Sequence, residues 1–121
     1  MKVSEAIYQA DYLYKNTFSQ QDKKRWLSRA DELVKKTVID AHEGGDDITA
    51  FPLDGAETTE LIMESPYDEG YVHYLMAQMH YANDEIDRYN RSITMFNAML
   101  SDFAGYWKKN HAPKGCGRFR F

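Results

Sequence analysis

Four histidines and one cysteine are the residues of this chain whose types most often bind metal ions or react with substrates. His73 and His80 are seven residues apart in a predicted helix, which separates them by roughly 10.5 Å along its axis, too far to share one metal ion. Each has an acidic residue four positions away, Glu69 and Asp84. Such a pair supplies two ligands, fewer than the three or four that protein sites usually provide. The sequence therefore predicts no metal and no cofactor.

Nucleophiles and paired carboxylates do not form a recognisable catalytic set either. Cys116 lies between two glycines near the C-terminus, where a Cys–His pair is difficult to hold in a reactive geometry. Gly44-Gly45 lacks the strand–loop–helix setting and the lysine of a phosphate-binding loop. Acidic residues are abundant from Asp40 to Glu69, but their spacing defines no acid–base pair. We therefore predict that the protein is not an enzyme. Because its one cysteine cannot form an internal disulfide, we also expect the protein to fold in a reducing, intracellular compartment.

The charges of the chain are strongly segregated. Between Lys36 and Arg88 there are thirteen acidic residues and no lysine or arginine. The last fourteen residues contain five basic residues and no acidic one, so a net charge of −4 for the chain leaves −9 on residues 1–107. An acidic body argues against a broad nucleic-acid-binding face, which needs clustered Lys and Arg on the fold itself.

The composition is that of one folded domain with many aromatic residues. The 121 residues are 43% hydrophobic and include nine tyrosines. Tyrosine is frequent in protein–protein interfaces and in packed cores, and the sequence leaves both interpretations open. No apolar run approaches the roughly 18 residues of a membrane span. The first residues, from Met1 to Glu5, lack the basic-then-apolar order of a signal peptide.

Apolar spacing and capping residues predict two helices in the first third of the chain. The first covers about residues 4–15, with Ser4 as its N-cap. The second covers about residues 19–42, with Ser19 as its N-cap and Asp22 three residues later. The apolar stripes that define them are Val3, Ile7, Ala10 and Tyr14, and then Trp26, Leu27, Ala30, Leu33, Val34, Thr37, Val38 and Ala41.

Residues 44–65 are predicted to form a long acidic loop, because Gly44-Gly45 ends the second helix and Pro52 and Gly55 prevent another from forming. Loops of this length in a compact domain are often functional. Its glycines, proline and acids offer little apolar surface to bury. We therefore expect this loop to be mobile in the free protomer and ordered in an assembly.

Two further helices are predicted after the loop. The third covers about residues 66–83, with Ser65 as N-cap and Pro66 in the first helical position. The fourth, about residues 85–110, follows a break at Asn83-Asp84. Its apolar residues recur with a seven-residue repeat, which favours a long helix packed lengthwise against its neighbours. They are Ile86, Tyr89, Ile93, Phe96, Leu100, Phe103 and Trp107.

The predicted fold is therefore all-α: a bundle of about four helices over residues 1–110, with helices two to four forming the core. Residues 111–121 form an extended tail, because Pro113 and two glycines prevent the last helix from continuing. The tail ends in alternating Arg and Phe, a pattern that suits addition to a partner's sheet edge, stacking on nucleic acid, or a disordered terminus.

Short segments distributed over nearly the whole chain occur in an order that resembles that of a known group of proteins. They are Asn16-Thr17-Phe18-Ser19, Arg25-Trp26-Leu27, Pro66-Tyr67-Asp68, Ala82-Asn83-Asp84-Glu85-Ile86, Tyr89-Asn90, Phe96-Asn97, Tyr106-Trp107, Pro113-Lys114 and Arg118-Phe119-Arg120-Phe121. Together with the acidic loop, they resemble small proteins of tailed bacteriophages and prophages that belong to the head–tail connector group (neck adaptor, head-completion).

That resemblance implies a structural virion protein of the phage neck, made in the cytoplasm of the bacterial host. It implies a helical protomer that forms a ring, usually of twelve copies, under the portal protein and binds the next neck or tail-completion protein. DNA would pass through the ring without specific binding, which an acidic body would favour. The alternative is a small helical nucleic-acid-binding or regulatory protein. In the first case we expect the tail to bind the portal, through Lys114, Arg118, Phe119, Arg120 and Phe121.

Overall fold

A computed structural model describes residues 1–113 and contains four α-helices. They are α1 (Val3–Leu13), α2 (Gln20–Val34), α3 (Glu69–Ala82) and α4 (Ile86–Asn110), and a π-helical turn, Lys35–Ile39, continues α2. Helices make up 62% of the described residues, which form no sheet. The prediction of an all-α bundle is confirmed.

The first helix begins one residue earlier than predicted. The backbone amide of Lys2 donates to the carboxylate of Glu5 at 2.7 Å, so that Lys2, not Ser4, precedes the first helical residue. This reach-back bond satisfies an amide that the helix itself cannot pair. In the predicted stripe, Val3, Ile7 and Ala10 are buried, and Tyr14 is partly buried against the core.

The start of α2 is confirmed, whereas its end differs from the prediction. Ser19 Oγ accepts a hydrogen bond from the amide of Asp22 at 3.0 Å. At the other end the helix widens into a π turn, closed by the Asp40 amide on the Lys35 carbonyl at 2.8 Å, and helical structure ends at Ile39 instead of residue 42. Val38 and Ile39 are both buried in this wide turn.

The prediction that α3 begins at Pro66 after an N-cap at Ser65 is wrong. Residues 65–68 form turns, with a cis peptide bond between Ser65 and Pro66, and the helix begins at Glu69. The amide of Tyr67 bonds to the carbonyl of Glu64 at 2.7 Å, a turn that competes with helix initiation.

The centre of the bundle is α3, which contacts the three other helices. The predicted core of helices two to four is therefore incomplete, because α1 also packs directly on α3. Val3 and Ala6 of α1 and Leu75 and Met79 of α3 are fully buried.

The long helix α4 packs on α3 through its seven-residue repeat. Phe96, Phe103 and Trp107 are buried, whereas Ile86, at the start of the helix, is 48% exposed. The turn between α3 and α4 places Asp84 in the left-handed region, at φ 61°, which aspartate tolerates better than most residues.

Residues 44–65 form the predicted long loop, but the expectation that they bury little apolar surface is wrong. Phe51, Leu61 and Met63 are buried in the common core. The loop is also joined to the start of α1, where the amides of Val3 and Ser4 donate to the carbonyls of Thr59 and Glu57 at 3.0 and 2.9 Å. The loop is therefore part of the domain and not an appendage of it.

Candidate interaction surfaces

A buried carboxylate on α2 holds the acidic loop in place. Asp31 has no solvent exposure. Its Oδ2 accepts from the amide of Phe51 at 2.8 Å, and its Oδ1 accepts from the amide of Ile62 at 3.0 Å and from the Tyr71 hydroxyl at 2.6 Å. The same hydroxyl accepts from the amide of Met63 at 2.9 Å. One side chain of α2 thus joins two segments of the loop, at Phe51 and at Ile62, to α3.

Sequence reasoning missed Asp31, although a signal was present. It lies four residues after Leu27 and three before Val34, on the apolar stripe of α2. A lone acid on a buried stripe indicates a structural hydrogen-bond acceptor, because an unpaired carboxylate there would be very costly.

Burial changes the acidity of both groups in this network. Desolvation raises the pKa of Asp31, although the hydrogen bonds from Tyr71, Ile62 and Phe51 oppose it. Desolvation, with the neighbouring Asp31 carboxylate, also raises the pKa of Tyr71 well above its ordinary value. The phenol therefore keeps its proton at neutral pH and acts as the donor to Asp31.

The raised pKa of Asp31 predicts a pH-dependent stability. The folded protein holds this proton more tightly than the unfolded chain, so the contribution of Asp31 is greatest below its ordinary pKa of 3.8 and falls as pH rises through the raised value. We expect the unfolding free energy of the wild type, relative to Asp31→Asn, to decrease as pH rises from about 4 and then to level off.

Chemical denaturation between about pH 3 and about pH 8 measures this difference. The matched control is Glu32→Gln, one residue further along α2 at an exposed position. A constant difference between the wild type and Asp31→Asn over that range would contradict the assignment.

The root of the C-terminal tail is attached to the bundle. The amide of Glu43 donates to the carbonyl of Ala112 at 2.7 Å, and His42 and Pro113 form an isolated antiparallel bridge. The ring of His111 stacks on Trp107 at a centroid distance of 3.8 Å. The chain therefore passes beyond α4 at a defined position beside the start of the acidic loop.

The predicted portal-binding residues lie outside the described residues. They are Lys114, Arg118, Phe119, Arg120 and Phe121. The structure thus gives the position from which the tail starts, at Pro113, and the predicted boundary after residue 110 coincides with the end of α4.

The cations of α2 and of the π turn are largely paired with acids. Lys23 is buried and contacts Asp11 of α1 at 2.8 Å. The other pairs are Arg25 with Asp22, Lys35 with Asp40, and Lys36 with Glu32. Four of the six cations of this segment are thus paired with acids, and Lys24 and Arg29 have no ion pair among the described residues.

A cluster of polar side chains joins the end of α1 to the α3–α4 turn. The Tyr14 hydroxyl donates to Glu85 Oε1 at 2.7 Å and accepts from Asn83 Nδ2 at 2.7 Å. His80, which is buried, places Nδ1 2.8 Å from the same Oε1. Hydrogen bonds from His80 and Tyr14 lower the pKa of Glu85. His80 therefore pairs with Glu85 and not with Asp84, the partner that sequence spacing indicated.

Beside this cluster lies an open cleft of about 270 Å³ between α1, α3 and α4. Leu13 and Met76 supply apolar surface, and Arg88 and Arg91 supply positive charge. Its volume is below the roughly 300–1,000 Å³ of sites that enclose small-molecule ligands. The cleft is therefore suited to one or two side chains of a partner.

Within residues 1–113, no three His, Cys, Asp or Glu residues are placed so that they could hold a metal ion. None of the described helices is long and apolar enough to cross a membrane. Comparison with protein-family models, curated proteins and solved structures finds no match.

Proposed function

We propose that this protein is a structural component of a tailed-phage neck, an adaptor that binds the portal and connects head to tail. The proposal begins from the resemblance of segments along nearly the whole chain to the head–tail connector group. The main supporting observation is that the start of the C-terminal tail is bound to the bundle and that the tail has a positive charge, opposite to that of the rest of the chain. Ala112 and Pro113 are held against Glu43 and His42, and a basic, aromatic sequence of eight residues follows.

The tail has the chemistry and the length of a docking segment. Eight residues can reach at most about 26–29 Å from Pro113. Alternation of Arg118 and Arg120 with Phe119 and Phe121 suits strand addition, in which the two phenylalanines are buried and the arginines pair with carboxylates. Repetition of this attachment around a ring would multiply its effect.

The alternative, a nucleic-acid-binding or regulatory protein, receives less support. Such a protein needs a cationic face on the fold. Four cations of α2 and the π turn are paired with acids, and residues 1–113 carry a net charge of −7, since the chain carries −4 and residues 114–121 carry +3. An acidic body is compatible with DNA sliding past without binding.

Deleting residues 114–121 tests the proposed function. We expect the truncated protein to keep its helical circular dichroism, because the deletion leaves Pro113 and the contacts of residues 111–113 in place. We expect it to lose attachment to portal-bearing heads, measured by co-sedimentation and by restored infectivity.

Two point-substituted tails separate the contributions of charge and aromatic surface. They are Arg118→Ala with Arg120→Ala, and Phe119→Ala with Phe121→Ala. The matched control is Lys108→Ala with Lys109→Ala, which removes the same charge from the end of α4. A truncated protein that still joins heads and restores infectivity would place the portal-binding surface elsewhere.

A further inference from the structure

The cleft beside α1 is lined by apolar and by cationic side chains. Leu13, which is 59% exposed, and Met76 supply its apolar part, here called the floor, and Arg88 and Arg91 supply its cationic part, here called the rim. Among residues 1–113, no ion pair involves Arg91. The chemistry of this cleft matches an apolar side chain that is followed directly by a carboxylate.

Glu85 is the acid of the neighbouring polar cluster, and its carboxylate is already hydrogen-bonded within that cluster. Glu85 Oε1 bonds to Tyr14 and His80, and its Oε2 lies 3.8 Å from Arg88, at the outer limit of an ion pair. No acidic side chain is among the described residues that line the cleft, whereas both arginines are.

The acidic loop presents the complementary pair of side chains. Leu53 is 51% exposed, and Asp54 beside it is exposed as well. They occupy a turn in which the Gly55 amide donates to the Pro52 carbonyl at 2.9 Å. A Cβ atom at Gly55 would lie 2.6 Å from the ring of Phe51, so the turn requires glycine there. We call residues 52–55 the loop tip.

The loop tip is anchored to the bundle by the residues on both sides of it. On one side, Phe51 is buried, its amide bonds to Asp31, and its carbonyl accepts from Ser28 Oγ at 2.9 Å. On the other side, the Glu57 carbonyl accepts from the amide of Ser4 at 2.9 Å. A preorganised tip loses little conformational entropy on binding, which favours association.

The loop tip and the cleft lie at opposite ends of α1. The loop is bonded to the start of the helix at Ser4, whereas the cleft is lined by Leu13 at its end. Eleven residues of helix span about 16 Å. Because Phe51 and Glu57 fix both ends of the tip, it cannot cross this distance to the cleft of its own chain.

We propose that the loop tip of one copy binds in the Arg88–Arg91 cleft of a second copy, with Leu53 on the apolar floor and Asp54 against the guanidinium groups. Each contact uses the tip of one copy and the cleft of the next, so it is head-to-tail. One free tip and one free cleft remain after each addition. Head-to-tail contacts generate rings when the rotation closes and open filaments when it does not. That this contact is the lateral contact of a neck ring rests on the proposed function. The contact between two copies can be measured whether or not the protein has that function.

Two charge-reversed variants test this pairing in solution. The cleft variant carries Arg88→Glu and Arg91→Glu, and the tip variant carries Asp54→Lys. We expect wild-type protein to self-associate in sedimentation velocity, more strongly at low salt because the pair is partly electrostatic. Each variant alone should associate at least tenfold more weakly.

Mixing the two variants gives the decisive result. In an equimolar mixture, the intact tip of the cleft variant meets the intact cleft of the tip variant, and the reversed tip meets the reversed cleft with opposite charges, so the mixture should recover association with the two variants alternating. A chain that carries all three substitutions should recover self-association, because its charges are exchanged. The matched control is Lys108→Glu with Lys109→Glu, which changes the same charge at the far end of α4 and should associate like the wild type.

A disulfide provides a second measurement if charge reversal prevents folding. In a Cys116→Ser background, chains with Leu13→Cys should cross-link to chains with Leu53→Cys, and neither should cross-link to itself at the same rate. Wild-type protein that stays monomeric up to about 1 mM at low salt would overturn the proposal. Self-association of both charge variants at wild-type strength would overturn it too. The same holds if the cleft variant self-associates like the wild type and loses only the binding of an oligonucleotide, because the cleft would then be a nucleic-acid site.

The outcomes for contact and function remain distinguishable. If the variants join portal-bearing heads as the wild type does, the tip–cleft contact is not the one used in the neck, while the neck function stands. If the mixture recovers association but wild-type protein does not join heads, the contact stands and the neck function fails.

Discussion

Replacing Asp31 by alanine is expected to lower the free energy of unfolding by about 3–5 kcal/mol at neutral pH, because it leaves several buried donors without an acceptor at once. The amides of Phe51 and Ile62 and the hydroxyl of Tyr71 would all lose their partner. Each buried unpaired donor costs about 1–3 kcal/mol, and removing a desolvated carboxylate recovers part of that sum. Urea denaturation followed by circular dichroism measures the change.

Two variants make the Asp31 experiment specific. Glu32→Ala removes a neighbouring acid whose contact with Lys36, at 3.7 Å, is exposed, and it should change stability by less than about 0.5 kcal/mol. Asp31→Asn should lie between these values, since the amide retains one acceptor oxygen. If Asp31→Ala cost under about 1 kcal/mol, this network would not be what holds the loop.

Replacing Trp26 by alanine should be comparably damaging for a different reason. Trp26 is 7% exposed and lies in the main apolar cluster, with the ring of Phe18 edge-on at a centroid distance of 5.4 Å. Removing a buried indole loses its transfer free energy and leaves a cavity, so we expect a loss of about 3–5 kcal/mol.

The matched control for Trp26 is another aromatic residue on a helix. Tyr12 is 76% exposed on α1, so Tyr12→Ala should change the unfolding free energy by less than about 0.5 kcal/mol. Equal losses for Trp26→Ala and Tyr12→Ala would mean that burial of the Trp26 ring contributes no more to stability than an exposed ring does.

The presence of all four helices was predictable from apolar spacing, although the predicted N-caps Ser4 and Ser65 were wrong. The seven-residue repeat placed α4 within one residue of its observed start and at its observed end, Asn110. Ser19 was predicted as an N-cap from its own type and the acid at Asp22. Such signals lie within a few residues of the element that they specify, and a single sequence displays them directly.

The loop and the cleft were not predictable in the same way. Phe51, Leu61 and Met63 have no period in the sequence, and the acceptor that fixes the loop, Asp31, lies 20 residues before the nearest of its partners. The cleft unites Leu13 with Arg88, which are distant in the chain and adjacent only after α1 packs on α3. Tertiary packing creates both features, and no local pattern precedes it.

The separation of bonded partners along the chain also orders the events of folding. α3 and α4 are joined by residues 83–85 and can pair after closing a very short connection. The bond between Tyr14 and Glu85 joins residues 71 positions apart, and that between Asp31 and Tyr71 joins residues 40 apart. Closure entropy grows with the length of chain enclosed, and folding slows as contacts become less local. The α3–α4 hairpin is therefore the expected nucleus, and losing the Asp31 bonds changes the rate of unfolding more than the rate of folding.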